Sequence, residues 1–143
     1  MTRVELVLVE DNPADADLTM EIIAETGCAV QVTVTENVER AQEVIREKMK
    51  DGSIGPVLVL LDLKLPKGDG LEILTFIRHS FSKDALEVVV LTGSQHPQDR
   101  IRATELSVDN FFIKSIDIEE FAELVVKLKE ILISLGQVRA PWQ

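Results

Sequence analysis

Residues 57–62 read Val-Leu-Val-Leu-Leu-Asp, an apolar run that ends abruptly in an acid. A short aliphatic run without polar alternation is typical of a strand that is buried on both faces, as in a parallel sheet. Four further short apolar runs predict strands at residues 6–9, 30–34, 88–91 and 111–113. The run that ends at Asp62 is therefore the third of five predicted strands.

Helical patterns separate these strands. Asn12 is placed to cap a first helix that Pro13 opens and Gly27 closes. A second helix is predicted over residues 37–49 and a third after Gly70. A fourth helix, short and polar, begins near residue 97, and Ile101 and Leu106 are expected to face inward.

Asp117 begins the fifth helix, with Glu120 three residues on as a capping box. Its apolar stripe has a period of about 3.6 residues; it comprises Phe121, Leu124, Val125, Leu128, Ile131 and Leu132. Alternating strands and helices predict an α/β fold with a doubly wound, five-stranded parallel sheet, (βα)5. The domain is expected to cover residues 1–134, and residues 135–143 to form a C-terminal tail.

Length and composition narrow the function classes. The 143 residues fit one domain, and 45% of them are apolar, enough for a sizeable core. Acids outnumber bases by 25 to 15, a net charge of -10 that repels a nucleic-acid backbone. No apolar run approaches the roughly 20 residues of a membrane span. Cys28 is the sole cysteine, so a cytoplasmic protein without disulfides is expected. Because of the net charge and the lack of a long apolar run, we expect neither nucleic acid nor membrane as a partner.

Polar residues end four of the five predicted strands. Glu10 and Asp11 follow the first, Asp62 the third, Thr92 the fourth and Lys114 the fifth. Each has a common explanation by itself, such as helix capping, turn formation or a solvated lysine. Because the carboxyl ends of parallel strands meet at one edge of the sheet, we expect all of them to lie together there.

The electrostatics of such a cluster indicate a chemistry. Carboxylates at about 4 Å repel by about 4 kcal/mol per pair at an effective dielectric constant of about 20, so three of them need a cation. Carboxylate and water ligands suit Mg²⁺. With Lys114 as a fixed positive charge and Thr92 as a hydroxyl donor, the arrangement is suited to receive a phosphoryl group on Asp62.

Glu10-Asp11, Asp62, Thr92 and Lys114, in this order and at these strand ends, resemble the receiver domains of bacterial two-component response regulators over residues 4–133. The resemblance implies a flavodoxin-like receiver fold with Asp62 as phosphoacceptor. It implies that Asp11 and Asp62 bind Mg²⁺ directly, that Glu10 acts through a metal-bound water, and that the backbone carbonyl of Lys64 is a further ligand. A sensor histidine kinase would be the phosphodonor.

The resemblance also implies a switch that couples Thr92 to the aromatic residue three positions before the lysine, Phe111. Phosphorylation would then change the surface formed by the fourth helix, fifth strand and fifth helix, where Arg100, Arg102 and Glu105 are expected to be exposed. Phe111 is explained equally well as a plain core or surface residue.

No output domain is expected after residue 133. The protein would therefore act by binding a downstream protein or a phosphotransfer domain, or by forming a homodimer. It is predicted to be a signalling phosphoacceptor and not an enzyme, apart from its own phosphorylation and dephosphorylation. The opening from Val9 to Asp15 is similar to stand-alone regulators paired with phytochrome-like histidine kinases.

Two departures from the family's pattern flank the fifth strand. Ser115 follows the lysine where proline is usual, so the loop that carries Lys114 is expected to differ in geometry, since non-proline cis peptides cost about 3 kcal/mol. Ser107-Val108 stand where a glycine often precedes the fifth strand.

Three rival functions fit the sequence less well. A phosphatase of the haloacid-dehalogenase type needs an acid two positions after its nucleophile, and Lys64 stands there. A nucleotide-binding fold needs a glycine-rich turn after the first strand, where this chain has Glu10-Asp11. A degenerate receiver used only for protein interaction finds support in Ser115 alone, because every expected functional residue is present.

Overall fold

The computed structural model describes residues 3–50, 56–63, 70–82, 85–93, 97–106, 108, 110–114 and 117–138, in which five strands and five helices alternate. The strands are β1 (Val4–Val9), β2 (Val30–Thr35), β3 (Val57–Leu61), β4 (Leu86–Thr92) and β5 (Asn110–Ile113). The helices are α1 (Pro13–Glu25), α2 (Val38–Lys50), α3 (Gly70–Ser80), α4 (Pro97–Glu105) and α5 (Ile118–Val138).

All strands are parallel and form one sheet in the order β2-β1-β3-β4-β5. The predicted doubly wound sheet is thus confirmed, and the five residues of β3, its central strand, are all buried as expected. The strand order reverses at β1, so β1 and β3 are neighbours although β2 lies between them in the chain. Such a reversal opens a crevice at the carboxyl ends of the two strands.

Alternate residues of each central strand face opposite layers of helices, because successive side chains of a strand point to opposite faces. One core cluster joins residues such as Val7, Val59 and Val90 to α2, α3 and α4. The other joins residues such as Leu8 and Leu60 to α1 and α5. The two hydrophobic layers therefore pack against opposite faces of the sheet, beneath its carboxyl edge.

The helix caps lie where the sequence predicted them. The side chain of Asn12 accepts a hydrogen bond from the backbone N–H of Asp15 at 3.0 Å. Gly27 follows α1 with φ of 69°, a conformation that favours glycine. The carboxylate of Asp117 accepts from the N–H of Glu120 at 3.2 Å.

Two predictions about the helices are corrected. In α4, Ile101 is 50% exposed, whereas Ala103 is buried and Leu106 packs against the core. Ile101 lies about 140° around the helix from Leu106, so the two do not share a face. Helix α5 continues to Val138, because Leu135 extends its apolar stripe onto the same core. The predicted boundary after residue 134 therefore falls inside a helix.

Trp142 and the other residues after 138 lie outside the described residues. Within the part of the chain that is described, no helix combines the length and the hydropathy that crossing a membrane requires.

Candidate functional site

Three acids meet at the crevice between β1 and β3. Glu10, Asp11 and Asp62 each offer a carboxylate oxygen, and these oxygens lie within 4.8 Å of one another. The backbone fixes their positions, since the N–H of Asp62 donates to the carbonyl of Val9 at 3.1 Å. Glu10 and Asp62 are buried, whereas Asp11 is half-buried. The structure thus brings together the acids that the sequence placed at one sheet edge.

Thr92 is the next residue of the site. Its hydroxyl donates to Oδ1 of Asp62 at 2.7 Å, and both side chains are buried. The end of β4 is tied to the end of β5 by a backbone hydrogen bond from the N–H of Lys114 to the carbonyl of Thr92, at 2.9 Å. This bond brings Lys114 to the same edge of the sheet.

The Lys114 ammonium reaches three carboxylates. Its Nζ donates to Oε1 of Glu10, to Oδ2 of Asp62 at 3.0 Å and to Oδ2 of Asp15 at 3.3 Å. The lysine side chain is only 9% exposed. Ser115, whose presence suggested a different loop geometry, lies outside the described residues, but Lys114 itself lies within reach of the acids.

Asp15 is the residue that sequence reasoning missed. The sequence shows it only as an acid two residues after Pro13, near the start of the first helix, where acids complement the helix dipole. Its contact with Lys114 joins residues that are 99 positions apart in the chain. Its place as the one acid in the first turn of α1 was the available signal, but an acid at this place is common as a complement of the helix dipole.

Gly70 lets α3 begin directly against the end of β3. A Cβ atom at this position would lie 2.5 Å from the carbonyl oxygen of Asp62 and 2.8 Å from Cα of Leu63. The N–H of Gly70 donates to the carbonyl of Leu63 at 2.9 Å. Only glycine fits without moving the backbone that carries Asp62.

Burial and charge change the acid–base properties of the site. Burial raises the pKa of Glu10 to about 7, with the Lys114 hydrogen bond opposing it and the charge of Asp62 adding to it. Burial alone would lower the pKa of Lys114, but hydrogen bonds to Glu10 and Asp62 and the charges of both acids together raise it. The ammonium therefore stays charged and partly offsets the repulsion among the acids.

The donor set fits a hard divalent cation. Three carboxylate oxygens from Glu10, Asp11 and Asp62 converge on one position, and Mg²⁺ and Mn²⁺ prefer such oxygen ligands. Lys64, whose backbone carbonyl was the fourth predicted ligand, lies outside the described residues.

Phe111 lies on the α4 side of β5. It is half-buried against the cluster formed with α2, α3 and α4, and the guanidinium carbon of Arg100 lies 5.5 Å from its ring centroid. Arg100, Arg102 and Glu105 are exposed on α4, as expected. The geometry of Phe111 is compatible with both predicted roles, a core residue and a switch.

The sequence profile of the response regulator receiver domain matches residues 6–126. The chain belongs to this family. Receiver domains are signalling domains of two-component systems, in which phosphorylation and binding of a divalent metal such as Mg²⁺ are typical. This family membership confirms the resemblance that the strand-end residues predicted.

Two relatives match this receiver domain over most of their length. The probable methanogenesis regulatory protein FilR2 of Methanothrix harundinacea is 36% identical over 136 residues, which cover 95% of this chain and 86% of that protein. The response regulator Rcp1 of Synechocystis is 31% identical over 121 residues, which cover 84% and 82%.

Two solved structures show the same fold. The phosphorylated cyanobacterial phytochrome response regulator RcpA superposes with a TM-score of 0.75 at 30% identity, covering 91% of this receiver domain and 94% of that chain. The Mn²⁺-bound form of Rcp1 superposes with a TM-score of 0.72 at 29% identity, covering 88% and 91%. These similarities confirm the predicted likeness to stand-alone regulators of the phytochrome type.

Proposed function

We propose that this receiver domain accepts a phosphoryl group on Asp62 from a sensor histidine kinase and uses it as a conformational switch. The observation that carries the proposal is the placing of the Asp62 carboxylate. It lies between the Thr92 hydroxyl at 2.7 Å and the Lys114 ammonium at 3.0 Å, within 4.8 Å of carboxylate oxygens of Glu10 and Asp11.

Asp62, Lys114 and Thr92 would have different roles in phosphoryl transfer. One carboxylate oxygen of Asp62 forms a bond to phosphorus while the bond from phosphorus to the donor histidine nitrogen breaks, and that nitrogen keeps the electron pair. Lys114 and the Thr92 hydroxyl would each contact an oxygen of the transferring group, because both already converge on the Asp62 carboxylate. Positioning and charge stabilisation of this kind account for most catalysis of phosphoryl transfer.

Glu10, Asp11, Asp62 and the Lys64 carbonyl would hold Mg²⁺, with Glu10 acting through a bound water. When bound, the ion would neutralise the carboxylates and stabilise charge on the phosphoryl oxygens. Mn²⁺, the ion bound in the Rcp1 structure, has the same preference for oxygen ligands and supports this assignment.

Hydrolysis would reset the switch. A water oxygen would attack phosphorus, the Asp62 carboxylate would leave with the electron pair, and the water proton would pass to the released phosphate or to solvent. The site would therefore act once for each phosphoryl group received and would not turn over a separate substrate.

The phosphorylated state would act through Thr92 and Phe111 on the surface formed by α4, β5 and α5. Phe111 belongs to β5, and its ring contacts the α4 part of this surface, because it lies beneath the exposed Arg100. The partner that binds the α4-β5-α5 surface would be a downstream protein, a phosphotransfer domain or a second copy of this chain. The similarity to a phytochrome response regulator supports a phytochrome-like histidine kinase as the phosphodonor, and we place this pairing in the cytoplasm.

Acetyl phosphate tests the acceptor. Incubation with Mg²⁺ should add one phosphoryl mass to the intact protein, and EDTA should prevent it. Asp62→Asn should remove the labelling while the fold and its thermal midpoint persist. Equal labelling of the wild type and Asp62→Asn would place the acceptor elsewhere, and turnover of phosphomonoesters would indicate a phosphatase.

Beryllofluoride, a phosphoryl mimic, tests the switch. Amide NMR shifts on its addition should extend from the Asp62 loop to Phe111 and α4. Shifts confined to the residues around Asp62 would contradict the proposed route. A pull-down with and without beryllofluoride would then identify the partner of the α4-β5-α5 surface.

A further inference from the structure

The first turn of α1 places a fourth acid at the edge of the site. Oδ2 of Asp15 lies 3.3 Å from Nζ of Lys114, and the Asp15 side chain is 45% exposed, whereas that of Lys114 is 9% exposed. A hydrogen bond fixes the backbone of each of these two residues. The N–H of Asp15 donates to the Asn12 side chain at 3.0 Å, and the N–H of Lys114 donates to the carbonyl of Thr92 at 2.9 Å.

We infer that Asp15 is a positioning residue that holds the Lys114 ammonium in place for phosphoryl transfer. The inference rests on the proposed function of Asp62 and adds a residue to it. Asp15 would contact neither the phosphoryl group nor the metal, and would act through Lys114 alone.

The division of the acids supports this role. Lys114 contacts Glu10, Asp62 and Asp15, but only the first two belong to the cluster whose oxygens converge on the candidate cation position. Once a cation and a phosphoryl group engage Glu10 and Asp62, these two acids have competing partners. Asp15 keeps its carboxylate for the lysine, at the rim of the site.

A lysine needs such a restraint more than most side chains. Its long four-carbon stem loses rotamer entropy when it is fixed, so an unrestrained ammonium spends less time in the reactive position. Because Asp15 is partly exposed, solvent screens the pair, and the expected effect of losing it is modest.

The test compares Asp15→Asn with Asp17→Asn. Asp17 is an exposed acid of the same helix, and its position two residues on turns it about 200° away, so the control removes the same charge without touching Lys114. Labelling by acetyl phosphate is followed at saturating Mg²⁺ over a range of acetyl phosphate concentrations. The Mg²⁺ dissociation constant is measured separately.

Asp15→Asn should lower the maximal labelling rate about three- to fivefold, the size expected for a partly exposed ion pair. The Mg²⁺ dissociation constant should change by less than about twofold, because Asp15 is not one of the clustered ligands. Asp17→Asn should label like the wild type. Asp15→Glu keeps the carboxylate on a longer stem and should recover most of the lost rate.

A spectroscopic measurement reports on the contact without relying on the rate. The Nζ chemical shift of Lys114 in the metal-loaded, beryllofluoride-bound protein should change in Asp15→Asn and stay unchanged in Asp17→Asn. Equal rates and equal Lys114 shifts in the two asparagine variants would overturn the inference. So would an Asp15→Glu variant as slow as Asp15→Asn, or a Mg²⁺ affinity that falls in step with the rate.

Failure of the proposed function gives a different result. In that case the wild type takes up no phosphoryl group, or Asp62→Asn still does. If the wild type is labelled, Asp62→Asn is not, and Asp15→Asn matches Asp17→Asn, then only the role of Asp15 is wrong.

Discussion

The hydroxyl of Thr92 donates a hydrogen bond of 2.7 Å to the Asp62 carboxylate, and both side chains are buried. The other oxygen of that carboxylate accepts from Lys114 at 3.0 Å. The carboxylate is therefore oriented from both sides before any ligand arrives, by residues at the ends of β4 and β5. Donors that are already in position cost no reorganisation when charge develops on the phosphoryl oxygens.

Two substitutions of Thr92 distinguish the contribution of its hydroxyl from the contribution of its volume. Thr92→Val keeps the volume but removes a hydrogen bond to a buried charged group, so the free energy of unfolding in EDTA should fall by about 1–3 kcal/mol. Labelling of Asp62 should slow in the same variant. Thr92→Ser keeps the hydroxyl and serves as the control, with a labelling rate near that of the wild type. A valine variant that labels as fast as the serine variant would show that the hydroxyl is dispensable.

Gly70→Ala should destabilise the protein although alanine normally favours a helix. The added Cβ would lie 2.5 Å from the Asp62 carbonyl oxygen, and overpacking of this kind costs about 1–3 kcal/mol, more than the gain in helix propensity of up to about 1 kcal/mol. Urea denaturation measures the change. Gly93→Ala is the matched control, because a methyl group there meets nothing within 4 Å. A stabilised Gly70→Ala protein would contradict the close approach of α3 to β3.

Lys114→Met should make stability depend more strongly on Mg²⁺. Without the ammonium, the repulsion between Glu10 and Asp62 is no longer offset, so the metal-free protein should unfold at a lower temperature. Added Mg²⁺ should raise the midpoint by more than it does in the wild type, while labelling falls sharply. Lys129→Met, which removes an exposed cation of α5, is the control and should leave both quantities near wild type. Equal Mg²⁺ responses in the two variants would argue against this balance of charges.

The metal-free protein should lose stability as the pH rises from about 5 to about 7. Burial raises the pKa of Glu10 to about 7 from its ordinary value of 4.5, so the folded state keeps a proton in this window that the unfolded chain releases. Stability then decreases with pH, by at most about 3 kcal/mol. The stability difference between the wild type and Glu10→Gln, measured in EDTA at both pH values, isolates this contribution. If the two proteins change in parallel, Glu10 does not titrate in this range.

The fold and most of the site were predictable because their signals are local. A buried aliphatic run that ends in a polar residue marks a strand end, and parallel strands bring such ends to one edge. That rule placed Asp62 and Thr92 together although they are 30 positions apart. The caps at Asn12 and Asp117 were predictable for the same reason, since a cap involves only residues of the first helical turn.

The wrong or missing predictions concern features that the local sequence pattern does not determine. Helix α4 has nine residues, too few to fix which face is buried, and the apolar Ile101 was chosen where the small Ala103 is buried. A tail was predicted from residue 135, but α5 continues to Val138, because packing of Leu135 outweighs the low helix propensity of Gly136. The contact of Asp15 with Lys114 depends on how α1 is rotated relative to β5, which no periodicity in either segment encodes.

The ion pair between Glu10 and Lys114 spans 104 positions, from the end of the first strand to the end of the last. During synthesis the amino-terminal acids leave the ribosome long before the lysine that completes their surroundings. The proposed phosphorylation of Asp62 would thereby be restricted to chains that have completed the sheet, because a chain that lacks Lys114 also lacks the ammonium that contacts Glu10 and Asp62.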